Sequence, residues 1–178
     1  MNGILSIDAA RCVACGRCIL ACITAHSRAH DLAGAVADPP YPTSRIAILD
    51  TGGTPAVILC RHCKKPRCAQ ACPASAIEKL SGGEVILDAD RCTGCGACAD
   101  ACPFGVPITA RDGQTYVTCD LCADLRAQGG TPACAGACHS GAIVYQPNQS
   151  SGRAVVVYER SAEGNGIYLR MTGTRRER

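Results

Sequence analysis

Short runs rich in isoleucine, valine and tyrosine recur along the chain, separated by polar, glycine-rich or cysteine-rich stretches. Such runs, bounded by turn residues, are typical of β-strands. They predict strands at ILSI (4–7), AVIL (56–59), EVIL (84–87), TYVT (115–118) and AIVY (142–145), and a short strand at Ala76-Ile77. No run reaches the roughly 18 apolar residues of a transmembrane helix, so we expect no membrane span.

Two pairs of apolar runs flank turn-forming residues and predict β-hairpins. In the first pair, AIEKL and EVIL surround Ser-Gly-Gly at 81–83. In the second pair, RAVVVYER and GIYLRM surround SAEGNG, and the predicted linker QPNQSSGR (146–153) precedes them. This C-terminal hairpin could pair with a sheet edge of this chain or of another chain.

The apolar fraction of 47% overstates the core that side chains can build. The 178 residues include one Phe, no Trp and five Tyr, so the large side chains that dominate core burial are scarce. The 16 cysteines are the candidates to hold another filling. The N-terminal MNGILSIDAARC has neither a basic and apolar leader nor a twin arginine, so we expect a cytoplasmic, reducing compartment. The formal net charge is +3 without a basic face interleaved with aromatics, which disfavours nucleic-acid binding.

All 16 cysteines fall into four groups of four. Motif one is Cys12, Cys15, Cys18 and Cys22; motif two is Cys60, Cys63, Cys68 and Cys72; motif three is Cys92, Cys95, Cys98 and Cys102; motif four is Cys119, Cys122, Cys134 and Cys138. Motifs one and three are an internal repeat, DAARCVACGRC (8–18) and DADRCTGCGAC (88–98). Motifs two and four both open with C-x2-C and end with C-x3-C.

The run C-x2-C-x2-C-x3-C is the ligand pattern of bacterial ferredoxins, in which the fourth cysteine binds the other [4Fe–4S] cluster of a pair. Sixteen ligands at four per cluster therefore predict four [4Fe–4S] clusters with no cysteine left over. Zinc is the rival metal, because motif four alone is compatible with a zinc site. Motifs one and three, with three cysteines in seven residues, suit a cubane better. Disulfides are disfavoured in a reducing compartment.

The predicted hairpin between motifs two and three favours their pairing as one compact unit, which leaves motifs one and four for each other. The ligand sets are then Cys12, Cys15, Cys18 and Cys138 (cluster 1); Cys22, Cys119, Cys122 and Cys134 (cluster 2); Cys60, Cys63, Cys68 and Cys102 (cluster 3); and Cys72, Cys92, Cys95 and Cys98 (cluster 4). Sequential pairing, of motif one with two and of three with four, stays open.

The fold class that follows is α+β. It consists of two bacterial-ferredoxin-like 2[4Fe–4S] units with nested cysteine motifs related by a pseudo-twofold, plus a C-terminal β-hairpin extension. The outer unit comprises residues 1–44 and 111–146, and the inner unit comprises residues 45–110. Residues 147–178 are linker, hairpin and tail.

Charged and histidine residues near the motifs have two interpretations each. Lys64, Lys65 and Arg67 lie inside the loop of motif two, where they are exposed charges or else tune a cluster potential or dock an acidic partner. His26 and His30 stand four residues apart, on a predicted helix, and we favour a solvated helix face over a metal pair. The stretch DLAGAVADPPYPTSR (31–45) predicts a loop and a partner surface.

Catalytic signatures are missing from the sequence. No dinucleotide-binding glycine loop, Walker motif or nucleophile–base pair is evident, so the pattern indicates a non-catalytic electron carrier rather than an enzyme. A free polyferredoxin is one alternative to a bound subunit, and a structural zinc protein is a remote one.

Residues 1–146 resemble the four-cluster iron–sulfur subunits of dimethyl sulfoxide reductase, formate dehydrogenase, formate hydrogenlyase, carbon monoxide dehydrogenase and tungsten aldehyde oxidoreductase. CRHCKKPRCAQACPASAI, with Pro66, is similar to the second motif of that family. CDLCADLRAQGGTPAC, with Asp120, Leu121, Arg126 and Pro132, is similar to its fourth, and His139 departs from the usual proline.

The resemblance implies the nested pairing and a subunit that relays single electrons. Its partner is expected to be a catalytic subunit, first of all a tungsten or molybdenum pterin enzyme such as aldehyde oxidoreductase or formate dehydrogenase. A flavin subunit or a ferredoxin would be the second redox partner. Carbon monoxide dehydrogenase and hydrogenase systems are the alternatives.

Overall fold

A computed structural model describes residues 3–37, 39, 41–110 and 112–147, and the backbone of two strands at 156–160 and 167–171. In chain order the strands are β1 (Gly3–Ile7), β2 (Ala47–Leu49), β3 (Ala56–Ile58), β4 (Ile77–Lys79), β5 (Val85–Leu87), β6 (Ile108–Thr109), β7 (Tyr116–Val117), β8 (Ile143–Pro147), β9 (Val156–Arg160) and β10 (Ile167–Met171). The helices are α1 (Arg17–Ala25), α2 (Leu32–Ala37), α3 (Arg67–Ala71), α4 (Ala97–Ala101), α5 (Ala123–Ala127) and α6 (Ala133–Gly136), with a 3₁₀ turn at Ala9–Arg11.

The strands form two-stranded antiparallel ladders and no larger sheet within the described residues. Strand β1 pairs with β8, about 140 residues later in the chain, so that Leu5 lies opposite Tyr145. The other four pairs join sequence neighbours: β2 with β3, β4 with β5, β6 with β7, and β9 with β10. Every strand predicted between residues 4 and 145 is therefore confirmed, whereas β2 and β6 were not predicted.

Two separate apolar cores accompany these ladders. The larger core contains Leu5, Ile7, Ile46, Val57 and Ile143, with cysteines of motifs one and four packed among them. The smaller core contains Ile77 and Val85, with cysteines of motifs two and three packed against it. Helix α1 packs against α6, and α3 packs against α4. Cysteine side chains thus supply part of each interior.

The predicted division into units is not tested directly. Ile46, Val57 and Leu59 pack in the larger core although they follow the predicted boundary at residue 44. Tyr116 packs against the smaller core although it follows the predicted boundary at residue 110. The division stays a prediction.

One predicted loop is wrong. Residues 32–37 form helix α2, inside the stretch 31–45 that we expected to be a loop. The Asp31 carboxylate accepts a hydrogen bond from the Gly34 N–H at 2.7 Å, as an N-cap residue does, and the leucine and three alanines of LAGAVA favour the helix. The proline-rich part that follows is loop-like where it is described.

Strands β9 and β10 pair antiparallel, with Ile167 opposite Arg160. The predicted linker (146–153) is wrong at its start, because Gln146 and Pro147 belong to strand β8. The rest of the linker and the residues that join β9 to β10 lie outside the described residues, so the predicted connection stays a prediction. Within the described part of the chain, no helix is both long and apolar enough to cross a bilayer.

Candidate metal centres

The four cysteine motifs share one backbone feature. In each C-x2-C segment the residue before the second cysteine has a positive φ: 51° at Ala14, 45° at His62, 68° at Gly94 and 58° at Leu121. This left-handed residue curls the loop, and in motifs two and four its N–H points back at the first cysteine sulfur. His62 N donates to Cys60 Sγ at 3.4 Å, and Leu121 N donates to Cys119 Sγ at 3.4 Å.

Two cavities are each lined by one of the predicted sets of four sulfurs. One spans about 310 Å³, part of it open to solvent, and its lining includes Cys22, Cys119, Cys122 and Cys134. The other spans about 290 Å³, also partly open, and its lining includes Cys72, Cys92, Cys95 and Cys98. In each case three cysteines come from one motif and the fourth from a motif elsewhere in the sequence. These are the sets predicted for clusters 2 and 4.

The other two predicted sets also bring sulfurs of different motifs together. The thiol of Cys18 has its pKa raised to about 11 by burial, and Cys12 and Cys138 raise it further as electrostatic neighbours. The pKa of Cys68 is raised by burial and then by Cys102 and Cys63. Cys18 of motif one therefore lies near Cys138 of motif four, and Cys68 of motif two lies near Cys102 of motif three.

The donor set suits a cluster with a positive core. Burial raises the pKa of Cys60 to about 11 and that of Cys134 to about 12. Crowded thiols of this kind resist losing their protons until a cation balances the thiolate charge, and bound metals do so. All 16 cysteines are free thiols, and several lie in the apolar cores. The residues present therefore fit iron–sulfur clusters.

Three of the four fourth cysteines receive backbone hydrogen bonds at their sulfurs. Ala76 N donates to Cys72 Sγ, and Ile143 N donates to Cys138 Sγ, both at 3.3 Å. Cys22 differs, because its donor is Arg45 N at 3.3 Å, from 23 residues away. Part of the long interval between motifs one and two thus folds back onto the cavity that Cys22 lines. Hydrogen bonds to cluster sulfurs are among the factors that set reduction potential.

The favoured interpretation of His26 is wrong. Helix α1 ends at Ala25, and the His26 ring is only 13% exposed, with Nε2 3.2 Å from Asp120 Oδ1 and Nδ1 2.7 Å from the Cys22 carbonyl. Burial lowers the pKa of His26, but the hydrogen bonds to Asp120 and Cys22 outweigh it and raise the pKa to about 9. His30 lies beyond the helix with a φ of 53° and is exposed. The two histidines therefore do not share one helix face.

Asp120 is the centre of this charged group. Its carboxylate is paired with Arg45 and accepts the Cys122 N–H at 2.9 Å. Burial raises the pKa of Asp120, but His26 and Arg45 outweigh it and hold the pKa well below its usual range. Ligand atoms of His26, Asp120 and Cys122 lie within 4.8 Å of one another. This group lines the cavity that also holds Cys22, Cys119 and Cys134.

A second charged group joins the two cores, at a boundary that we call the seam. It consists of Cys60, His62 and Glu84 on one side and Thr118, Cys119 and Arg126 on the other. Arg126 Nη2 donates to Glu84 Oε1 at 3.0 Å, and Arg126 Nε donates to the Leu121 carbonyl at 2.8 Å. Both side chains of the ion pair are buried, at 7% and 10% exposure.

The seam also brings a cysteine of motif two near a cysteine of motif four. Burial raises the pKa of Cys119 well above its usual value, and among its electrostatic neighbours is Cys60 as well as Cys134. The Thr118 hydroxyl, which is buried, is hydrogen-bonded to the Cys60 sulfur. Sulfurs assigned to clusters 2 and 3 are therefore neighbours across the seam.

Sequence reasoning did not single out Lys79 or the Glu84–Arg126 pair. A signal for Lys79 exists, because the alternation in the strand Ile77–Lys79 places Lys79 on the face of Ile77. Glu84 offers no such signal, since its partner is 42 residues away. Lys64, Lys65 and Arg67 are exposed in the loop of motif two, and their role in tuning or docking stays a prediction.

Comparison with known proteins agrees with this geometry. Residues 55–148, which hold motifs two, three and four, match the family described as a 4Fe-4S dicluster domain. The chain belongs to this family. The 4Fe-4S dicluster family has a ferredoxin-like domain of small helices and strands, as found here, and its description accounts for two [4Fe–4S] clusters.

Curated relatives match larger shares of the chain than the family model does. An iron-sulfur protein of Rhodospirillum rubrum is 36% identical over 156 residues, which cover 80% of each chain. The formate dehydrogenase iron-sulfur subunit of Haemophilus influenzae is 36% identical over 116 residues, 61% of this chain and 37% of the subunit. A tetrathionate reductase subunit of Salmonella typhimurium is 31% identical over 138 residues, 78% of this chain and 55% of that subunit.

Proposed function

We propose that the protein is a non-catalytic electron-transfer subunit that holds four [4Fe–4S] clusters in the nested ligand sets. The observation that carries this proposal is the pair of sulfur-lined cavities, each with three cysteines of one motif and one of another. That pattern is the ligand sharing of two-cluster ferredoxins. A zinc ribbon takes its four ligands from two pairs of cysteines and does not require one ligand from a different four-cysteine motif.

The proposed relay runs in the order cluster 1, cluster 2, cluster 3, cluster 4. Motifs one and four share clusters 1 and 2, and motifs two and three share clusters 3 and 4. The electrostatic effect of Cys60 on Cys119 supports a crossing from cluster 2 to cluster 3 at the seam. Cys15 and Cys95 are the two exposed cysteines, and they belong to clusters 1 and 4. Electrons would therefore enter and leave at the two ends.

The clusters would supply one-electron redox chemistry, and the chain supplies their environment. The apolar cores exclude water from the inner sulfurs, and the N–H groups of His62, Ala76 and Leu121 stabilise the thiolates. The His26–Asp120–Arg45 group fixes the loop of motif four against the fourth cysteine of motif one. We assign no step of substrate chemistry to the chain.

The proposed partner is a catalytic subunit with a tungsten or molybdenum pterin, together with a second redox partner such as a flavin subunit or a ferredoxin. The relatives named formate dehydrogenase and tetrathionate reductase subunits support an oxidoreductase complex. The R. rubrum relative, matched over 80% of its length, shows that a protein of similar extent is known simply as an iron-sulfur protein. A cytoplasmic location stays a prediction.

The test of this function is the metal content of the complex purified anaerobically from native cells, with this chain tagged. Tungsten or molybdenum in proportion to the chain, beside about 16 iron atoms, supports the proposal. Nickel would instead indicate that the catalytic partner is a carbon monoxide dehydrogenase or a hydrogenase. Iron with neither metal, in a small monomer, would contradict the subunit role and favour a free polyferredoxin.

A further inference from the structure

Lys79 is a charged residue on the inner face of the β4–β5 hairpin. Side chains alternate between the faces of a strand, so Lys79 shares the face of Ile77, which is buried, while Glu78 between them is exposed. Lys79 itself is half-buried. An ammonium group in such a position needs hydrogen-bond partners, because burying an unpaired charge is costly.

All three protons of the Lys79 ammonium have acceptors. Nζ donates to the carbonyl oxygens of His62 at 3.2 Å, Cys63 at 2.9 Å and Gly83 at 2.7 Å. The first two carbonyls belong to the loop of motif two, and Cys63 is a ligand in the set of cluster 3. The third belongs to the turn of the same hairpin. Lys79 therefore ties the hairpin to the loop that would surround cluster 3.

The same loop is held rigidly on its other side. His62 Nδ1 accepts the Val85 N–H at 2.9 Å, so strand β5 fixes the ring while Lys79 fixes the carbonyl of the same residue. The His62 backbone N–H meanwhile donates to Cys60 Sγ. The position of the Lys79 charge relative to cluster 3 is thus set by hydrogen bonds to its own ligand loop.

The positive charge of Lys79 is not balanced by a carboxylate. Within the described residues its Nζ makes no ion pair, and the nearby Glu84 is paired with Arg126. The exposed Lys64 and Lys65 lie in the same loop, but water and salt screen exposed charges more strongly than half-buried ones. Lys79 is therefore a half-buried lysine whose ammonium group is hydrogen-bonded to the loop of motif two.

We propose that Lys79 is a positioning residue of cluster 3 that also raises its reduction potential. Reduction adds a negative charge to a cluster, and a fixed positive charge close by stabilises the reduced form. The inference rests on the proposed function, because it takes Cys60, Cys63, Cys68 and Cys102 as the ligands of cluster 3. The inference also assigns the tuning of the cluster potential to Lys79 rather than to the exposed Lys64, Lys65 and Arg67.

The test is an EPR-monitored redox titration of the full-length protein, purified anaerobically with its clusters. Lys79→Gln removes the charge and keeps a hydrogen-bond donor, Lys79→Arg keeps the charge, and Lys64→Met is the matched control in the same loop. We expect one of four midpoint potentials to fall in Lys79→Gln. The same potential should stay near the wild-type value in Lys79→Arg, and Lys64→Met should shift it less than Lys79→Gln does.

Two results would overturn the inference. One is an unchanged set of four potentials in Lys79→Gln with full iron content. The other is a Lys79→Arg variant that shifts or loses iron as much as Lys79→Gln does, because the charge would then be irrelevant. If Lys79→Gln loses a cluster, its potential cannot be measured and the test rests on Lys79→Arg. Full iron content and an unchanged midpoint potential of cluster 3 in Lys79→Arg would then support the inference. A wild-type protein with fewer than four clusters would instead contradict the proposed function.

Discussion

Removal of Arg126 is expected to destabilise the seam. In Arg126→Met the side chain keeps a similar length, but Glu84 loses the cation that lies 3.0 Å from its carboxylate. Both side chains are at most 10% exposed, so water cannot replace the guanidinium fully. Breaking a buried pair by removing one partner costs about 3–5 kcal/mol. The bonds from Arg126 to the Leu121 carbonyl and to Tyr145 are lost as well.

The assay is the rate at which cluster absorbance bleaches in guanidinium chloride under anaerobic conditions. A loss of about 3 kcal/mol corresponds to a rate increase of up to about 100-fold, at about 1.4 kcal/mol per factor of ten. The double variant Glu84→Gln/Arg126→Met should bleach more slowly than Arg126→Met, because no unpaired charge stays buried. Bleaching of Arg126→Met at the wild-type rate, or strictly additive effects in the double variant, would refute the reasoning.

Three further predictions concern the ligand sets, one glycine and pH. Cys102→Ser should lose or alter cluster 3 in EPR spectra; damage to the cluster held by Cys119 and Cys122 would disprove nested pairing. Gly94→Ala should lose iron from cluster 4, because its Cβ would lie 1.8 Å from the Gln114 carbonyl oxygen, whereas motif one carries Ala14 at the same position; full iron in the purified variant would contradict this. Burial raises the pKa of Glu84, but its backbone N–H and Arg126 outweigh that and leave the pKa below 4.5. The ion pair of Glu84 therefore stabilises the fold fully above pH 4.5, and this contribution is lost as the pH falls through the lowered pKa of Glu84. The bleaching rates of wild type and Glu84→Gln should differ at neutral pH and converge at acidic pH.

The strands and the cysteine motifs were predictable because their signals are local. Runs such as ILSI and AIVY predicted β1 and β8, although nothing in either run shows that they pair with each other. The spacing of each motif predicted a loop around one cluster. The hairpin between motifs two and three, with its glycine turn, followed from the sequence and is the element that brings α3 and α4 together.

The charged contacts were not predictable because each joins residues far apart in the chain. His26 looked like a solvated residue until Asp120, 94 residues away, placed a carboxylate beside it. Glu84 and Arg126 pair over 42 residues. Helix α2 was missed for a different reason, since the prolines after it made the whole stretch resemble a loop. Local sequence patterns thus predict the cysteine motifs, whereas the electrostatic environment of these motifs depends on tertiary contacts.

The count of iron and of acid-labile sulfide per chain tests the central claim most directly. The anaerobically purified protein should hold about 16 iron atoms and as many sulfides, with EPR signals of the reduced form that integrate to about four spins per chain. About eight irons would show that only one pair of motifs holds clusters. Zinc in a colourless protein would contradict the account altogether.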